Sequence, residues 1–160
     1  MPPIYLKLME KNINNKLKIG FSIGDFNGIG PEILLKAFYN KNLFEVCVPI
    51  VFSSRYILDY YKNKFSIDID INDQNNNIKE NQINCFSNEK FDSNILPGQV
   101  NADAGKYAES SLRESIKYFK KGFIDSLITL PISKINIQSN TFQFPGHTEF
   151  LESEFTNEKS

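Results

Sequence analysis

Three short stretches concentrate the residues able to do chemistry. The first is Gly24-Asp25-Phe26-Asn27-Gly28-Ile29-Gly30, followed at once by Pro31-Glu32. Backbone N–H groups at a helix start, with glycines that allow close approach, can cradle a phosphate or another anion. Gly28-x-Gly30 lacks the third glycine of a dinucleotide fingerprint, and no Walker lysine follows. A plain strand-to-helix turn fits the same spacing. The second stretch is Thr129-Leu130-Pro131-Ile132-Ser133-Lys134. It follows an apolar run directly, and ligands of open α/β sheets collect at the carboxyl ends of strands. Lys134 offers an ammonium to a phosphate or carboxylate there, or serves as a solvated surface charge. The third stretch is Phe144-Pro145-Gly146-His147-Thr148-Glu149-Phe150-Leu151. His147 is a switchable donor or acceptor. Thr148 supplies a hydroxyl and a possible helix cap, with Glu149 and Glu152 in the turn that follows. His147 is the single histidine, so a histidine-based metal site cannot be completed within these 160 residues.

The elements that would position these residues read as alternating strands and helices. Lys18–Ile23 alternates apolar and polar residues as a first strand does. Pro31–Tyr39 reads as an amphipathic helix with Ile33, Leu34, Ala37 and Phe38 on one face. Glu45–Phe52 is a nearly continuous apolar run, the pattern of a buried parallel strand, with Pro49 as a local irregularity. Ser53 or Ser54 can cap a helix whose apolar side is Ile57, Leu58 and Tyr61. Ile67, Ile69 and Ile71 alternate with Asp68 and Asp70 as in a half-exposed strand. Asp73–Gln82 is polar and reads as a surface loop, Ile83–Phe86 as a brief strand, and Ile95–Gly98 as a turn. Asn101–Lys121 is a long helix carrying Ala104, Ala108, Leu112, Ile116 and Phe119 on one side, with Gly122 at its end. Phe123–Thr129 is a further short strand. The order predicts an α/β fold with a largely parallel sheet covered on both faces.

Composition narrows the classes. Eighteen Lys and Arg against 19 Asp and Glu give a formal net charge of −1. A dedicated nucleic-acid binder carries a clear basic excess, so nucleic acid is not an expected partner. No apolar run reaches the roughly 20 residues that span a bilayer, and the opening residues lack a signal-peptide core. Cys47 and Cys85 stand far apart, without a metal-type or redox-type pairing. The expectation is a reduced protein of the cytoplasm.

Together the three stretches resemble one family. GDFNGIGPEILLKAF is similar to the opening signature of the 4-hydroxythreonine-4-phosphate dehydrogenases. LPGQVNADAGKYAESSLRESIKYFKKGFIDSLITLPISK resembles that family's glycine-start helix and its Thr-x-Pro-x-x-Lys strand end. PGHTEFL matches its Gly-His-Thr-Glu motif. The resemblance runs in the same order from about Lys18 to Glu154.

It implies a three-layer fold like that of the isocitrate and isopropylmalate dehydrogenases. It also implies an NAD-dependent oxidation of a phosphorylated hydroxy-amino acid in vitamin B6 synthesis, with decarboxylation of the resulting 3-oxo acid. A divalent metal (zinc, magnesium or cobalt) acts in the family as Lewis acid. The resemblance carries substrate binding over to His147 and Thr148, and makes Asp25, Gly28, Gly30 and Lys134 candidates for anion binding or substrate proximity. The family's metal-binding histidines, and most groups that hold NAD, correspond to positions beyond Ser160. The expected organisation is therefore the first part of a two-domain dehydrogenase. Residues 1–17 would be an N-terminal extension, 18–130 part of the first domain, and 131–160 the start of the second. That incomplete fold is expected to be inactive and poorly soluble alone, and homodimeric when full length. Departures are Phe26 in place of the family's proline, Asn27 in place of a small residue, and the Asn-rich insertion near Asn75. A dehydrogenase of phosphorylated threonate or erythronate shares these motifs. A non-catalytic remnant that binds a phosphorylated ligand is a further alternative.

Overall fold

The computed structural model describes residues 16–73, 77–87 and 91–156. The expected extension up to residue 15, the centre of the insertion near Asn75 and the last four residues lie outside them. The ordered elements are β1 (Leu17–Ser22), α1 (Gly30–Tyr39), α2 (Leu43–Val46), β2 (Cys47–Phe52), α3 (Arg55–Lys64), β3 (Ile71–Asn72) and β4 (Ile83–Phe86). They continue with α4 (Ala102–Lys120), β5 (Ser126–Thr129), α5 (Lys134–Ile137) and α6 (His147–Thr156). The five strands form one sheet in the order β3-β4-β2-β1-β5, and every neighbouring pair is parallel.

The alternation of side chains along β2 builds both faces of the core. Val48, Ile50 and Phe52 face α4 with Phe86 and Ile124, whereas Cys47 and Val51 join Leu34, Leu35 and Phe38 of α1 and Ile57, Leu58 and Tyr61 of α3. The molecule thus has three layers, as expected for the α/β class. Helix ends follow local chemistry. The Ser54 hydroxyl accepts from Tyr56 N at 3.2 Å to start α3, and the Asn101 side chain accepts from Asp103 N at 2.7 Å to start α4. Gly122 takes the left-handed conformation (φ 69°) that closes α4.

Several boundaries depart from the sequence pattern. The Glu45–Phe52 run begins as the last turn of α2, so the strand starts at Cys47. The β1–β2 register passes through Pro49 without a break. Only Ile71 of the three alternating isoleucines is in a strand, although Ile67 and Ile69 are also buried. Burial of every second side chain requires an extended backbone but not a ladder. Phe123–Asp125 precede β5 rather than belonging to it, and Ile124 reaches back into the core. On α1, Leu35 is buried and Ile33 and Ala37 are exposed, which rotates the apolar face from the predicted set. The polar stretch after Asn72 is a surface segment where described, but it is tied to the core by Asn84. That side chain accepts from Lys79 N and donates to Lys79 O, each at 2.8 Å. No helix among the described residues is long and apolar enough to cross a membrane.

Candidate functional site

Strand order locates the crevice. From β1 the chain crosses through α1 to β2 on one side. The strand on its other side, β5, is reached only through α4 on the opposite face. β1 and β5 therefore diverge at a topological switch point, where open α/β sheets bind ligands beyond the carboxyl ends of the strands. The loops that leave these two strands are the first two stretches singled out from the sequence.

The β1 loop is folded around Asp25. Gly24 has φ 71°, and a Cβ at that position would come within 2.2 Å of the Pro131 carbonyl oxygen. The absence of a side chain lets the two loops touch, and Asp25 N donates to Pro131 O at 3.0 Å. One carboxylate oxygen of Asp25 accepts from Asn27 N, and the other from the Asn136 side-chain amide, each at 2.8 Å. Asp25 O accepts from Gly28 N at 3.0 Å. A Cβ on Gly30 would approach Ile23 O within 2.8 Å, so this glycine seats the start of α1 against β1. The Asn27 and Gly28 N–H groups of the expected anion cradle are thus engaged inside the loop. Asn27 also accepts from Leu96 N at 2.7 Å and binds the turn at Gly98 through its carbonyl. Phe26, where the resembled family has proline, is fully buried among Phe91 and Tyr107, with ring centroids 5.1 and 5.8 Å away. Packing and the bond from Tyr61 Oη to Phe26 O (2.7 Å) hold the turn in place of a proline ring.

The second loop leads into α5, capped by Ser133, whose hydroxyl accepts from Asn136 N at 3.3 Å. α5 lies on α4 at Gly105, where any Cβ would meet Asn136 O at 1.7 Å. α6 begins at His147, so Thr148 lies inside the helix rather than at its cap. The carbonyl of Gly146 accepts from Phe150 N at 3.4 Å. His147 is half-buried, Thr148 and Lys134 are exposed, and the Lys134 stem passes Gly146, with Cε 3.8 Å from where a Cβ would sit. The Thr-x-Pro-x-x-Lys and Gly-His-Thr-Glu segments therefore meet in space. Lys134 and the positive end of the α6 dipole act together on any anion there, with the exposed Glu149 opposing them in the same turn.

α6 is fixed by α4. Arg113 bonds Glu109 and Thr141 O at 2.8 Å and lies 4.7 Å over the Phe150 ring, while Lys120 binds Glu154 O at 2.8 Å. Sequence reasoning missed Asn136, Ser111, Gly105 and Glu109. Asn136, Ser111 and Gly105 act through contacts with remote segments that no local spacing marks, while Glu109 adds a remote bond from Thr141 to its i,i+4 pairing with Arg113. Burial pushes the Cys85 thiol up to about 12, which makes it a packing group rather than a nucleophile. Among the described residues no cluster of three His, Cys, Asp or Glu side chains could hold a metal ion. The described residues do not fit the resembled family's metal centre.

Comparison with known proteins agrees with this fold. The chain is 32% identical over 148 residues to a 4-hydroxythreonine-4-phosphate dehydrogenase of Bacteroides thetaiotaomicron, covering 89% of this chain and 40% of that protein. It is 29% identical over 150 residues to an Oceanobacillus iheyensis protein provisionally named a D-threonate 4-phosphate dehydrogenase, covering 91% of this chain and 45% of that one. The crystal structure of a 4-hydroxythreonine-4-phosphate dehydrogenase from Burkholderia phymatum superimposes with a TM-score of 0.78 at 24% identity. That match covers 86% of this chain and 43% of the other, and shows a shared fold. The chain thus spans less than half the length of these relatives. Residues 45–160 match the family described as pyridoxal phosphate biosynthetic protein PdxA, and with well over half its length so matched the chain belongs to that family.

Proposed function

We propose that this chain carries the substrate-gripping segment of a 4-hydroxythreonine-4-phosphate dehydrogenase acting in vitamin B6 synthesis. The observation that carries the reading is the passage of the Lys134 stem, on the chain that leaves β5, against Gly146, the residue before His147 and Thr148. In this reading His147 and Thr148 bind the substrate, the imidazole and hydroxyl bonding its polar groups at the head of α6. Lys134 and the N–H groups of the first turn favour its anionic end. Asp25, Gly28 and Gly30 shape the crevice wall rather than touch the phosphate. Lys134 alone would be a weak anion site; with a helix start beside it the two fields add, against the Glu149 carboxylate in the same turn.

The reading carries NAD as oxidant, a divalent cation and a homodimer with it from the family resemblance, and a cytosolic location from the cysteine usage and composition. It also carries the division of the chain at about residue 130 between two domains. The reaction class is oxidation of a secondary alcohol, giving a 3-oxo acid that loses carbon dioxide. A second reading, oxidation of a phosphorylated threonate, is favoured by the Oceanobacillus iheyensis relative. The two substrates differ in an amino against a hydroxyl group, and share the phosphate.

Calorimetry separates these readings. The 160-residue chain is expected to bind 4-hydroxythreonine-4-phosphate more tightly than threonate 4-phosphate. His147→Ala and Thr148→Ala should each weaken it about tenfold, the order of one lost hydrogen bond to a charged ligand. Tighter binding of the threonate would favour the second reading, and undiminished binding by both variants would remove the site assignment.

A further inference from the structure

We propose that the Asp25–Asn136 pair is a latch, and that both are positioning residues for the Lys134–His147 site. This rests on the reading above for what the site holds. The bond joins segments 111 residues apart, between the loop after β1 and the helix after β5, across the switch point itself. Both side chains are more than nine-tenths buried, so neither meets a ligand directly. Facing a carboxylate, the Asn136 side chain can offer only its amide nitrogen, and its Oδ1 is then left buried without a partner among the described residues. A buried amide that forgoes half of its bonding is poorly explained by packing alone. It is explained if the bond to Asp25 is what the position requires.

The latch has little freedom on either side. Asp25 is already fixed by Asn27 N and by its own N–H to Pro131, and Asn136 is pressed onto α4 at Gly105. Two residues before Asn136, the Lys134 stem passes Gly146, which precedes His147 in the chain. A shift of α5 against the β1 loop therefore moves the ammonium relative to the imidazole.

Exchange of the partners tests this. Asn136→Asp sets two carboxylates face to face. The double variant Asp25→Asn with Asn136→Asp restores donor and acceptor with their positions swapped. Three readouts apply: amide hydrogen exchange over residues 130–137, the NMR signal of the single histidine, and calorimetric affinity for 4-hydroxythreonine-4-phosphate. Asn136→Asp should speed the exchange, displace the His147 signal and weaken binding about tenfold, the order expected for a lost buried bond. The double variant should return all three close to wild type. A double variant that does not fold overturns the latch. So does one that recovers exchange protection while the His147 signal stays displaced. Recovery of protection and signal without affinity would mean that the Asp25 charge acts on the ligand, and would also overturn the positioning role. Failure of the wild-type chain to bind the probe counts against the functional reading, and leaves the latch to be judged by the exchange and the His147 signal.

Discussion

Individual residues at the β1/β5 crevice are held by steric and hydrogen-bonding demands that leave few substitutions open. Gly24 combines a left-handed φ with a backbone carbonyl 2.2 Å from where a Cβ would stand. Gly24→Ala should therefore lower stability by at least about 1–2 kcal/mol from the backbone alone, with the clash against Pro131 added. Urea unfolding monitored by circular dichroism would measure it, and an unchanged midpoint would contradict the loop geometry. At this scale the sequence singles out His147, Thr148 and Lys134 because their motifs are local, and their roles belong to the proposed function. It was ambiguous for Gly28 and Gly30, where a cradle and a tight turn share one spacing. It was silent for Asn136, whose partner lies 111 residues away.

Elements are placed by a few polar contacts inside an apolar core. Ser111 of α4 is the clearest. Its hydroxyl accepts from Ile23 N at 2.9 Å and donates to Phe52 O at 2.6 Å, bridging the ends of β1 and β2 next to the crevice. Ser111→Ala would leave a buried N–H and a buried carbonyl unpaired, each costing about 1–3 kcal/mol. Thermal unfolding should show that loss, whereas a fall of only a few tenths would mean that the strand ends have other partners. Strand and helix types were legible from periodicity, since β2 and α4 are long and uniformly patterned. Boundaries were less so. α2 interrupts the Glu45–Phe52 run because apolar content does not distinguish the last turn of a helix from the first residue of a strand. Ile67 and Ile69 alternate without pairing because burial alone sets that pattern.

For the whole molecule, the three layers bury several groups in their neutral forms. Burial pushes the hydroxyls of Tyr61 and Tyr107 up to about 12, with the neighbouring Tyr60, Asp25 and Glu32 adding to the effect at Tyr61. Burial raises the thiols of Cys85 and Cys47 as well. Acids whose folded pKa lies above the unfolded value favour folding fully below the unfolded pKa. That contribution is lost as pH rises towards the folded pKa. Melting temperature should therefore hold to about pH 8, then fall between about pH 8.5 and 12 as the unfolded thiols and phenols ionise first. A flat profile to pH 11 would show that these groups are less buried than described. The sheet order and its switch point were not readable from the sequence, since strand adjacency is decided by crossovers.

In the proposed function a phosphorylated hydroxy-amino acid sits at the head of α6 against His147. Because the chain has one histidine, its imidazole carbon and proton signals report on that place alone. Titration with 4-hydroxythreonine-4-phosphate should move them in a saturable manner, while threonine and inorganic phosphate at the same concentration move them little. Saturable uptake of the ligand that leaves the His147 signals where they were would place the substrate elsewhere.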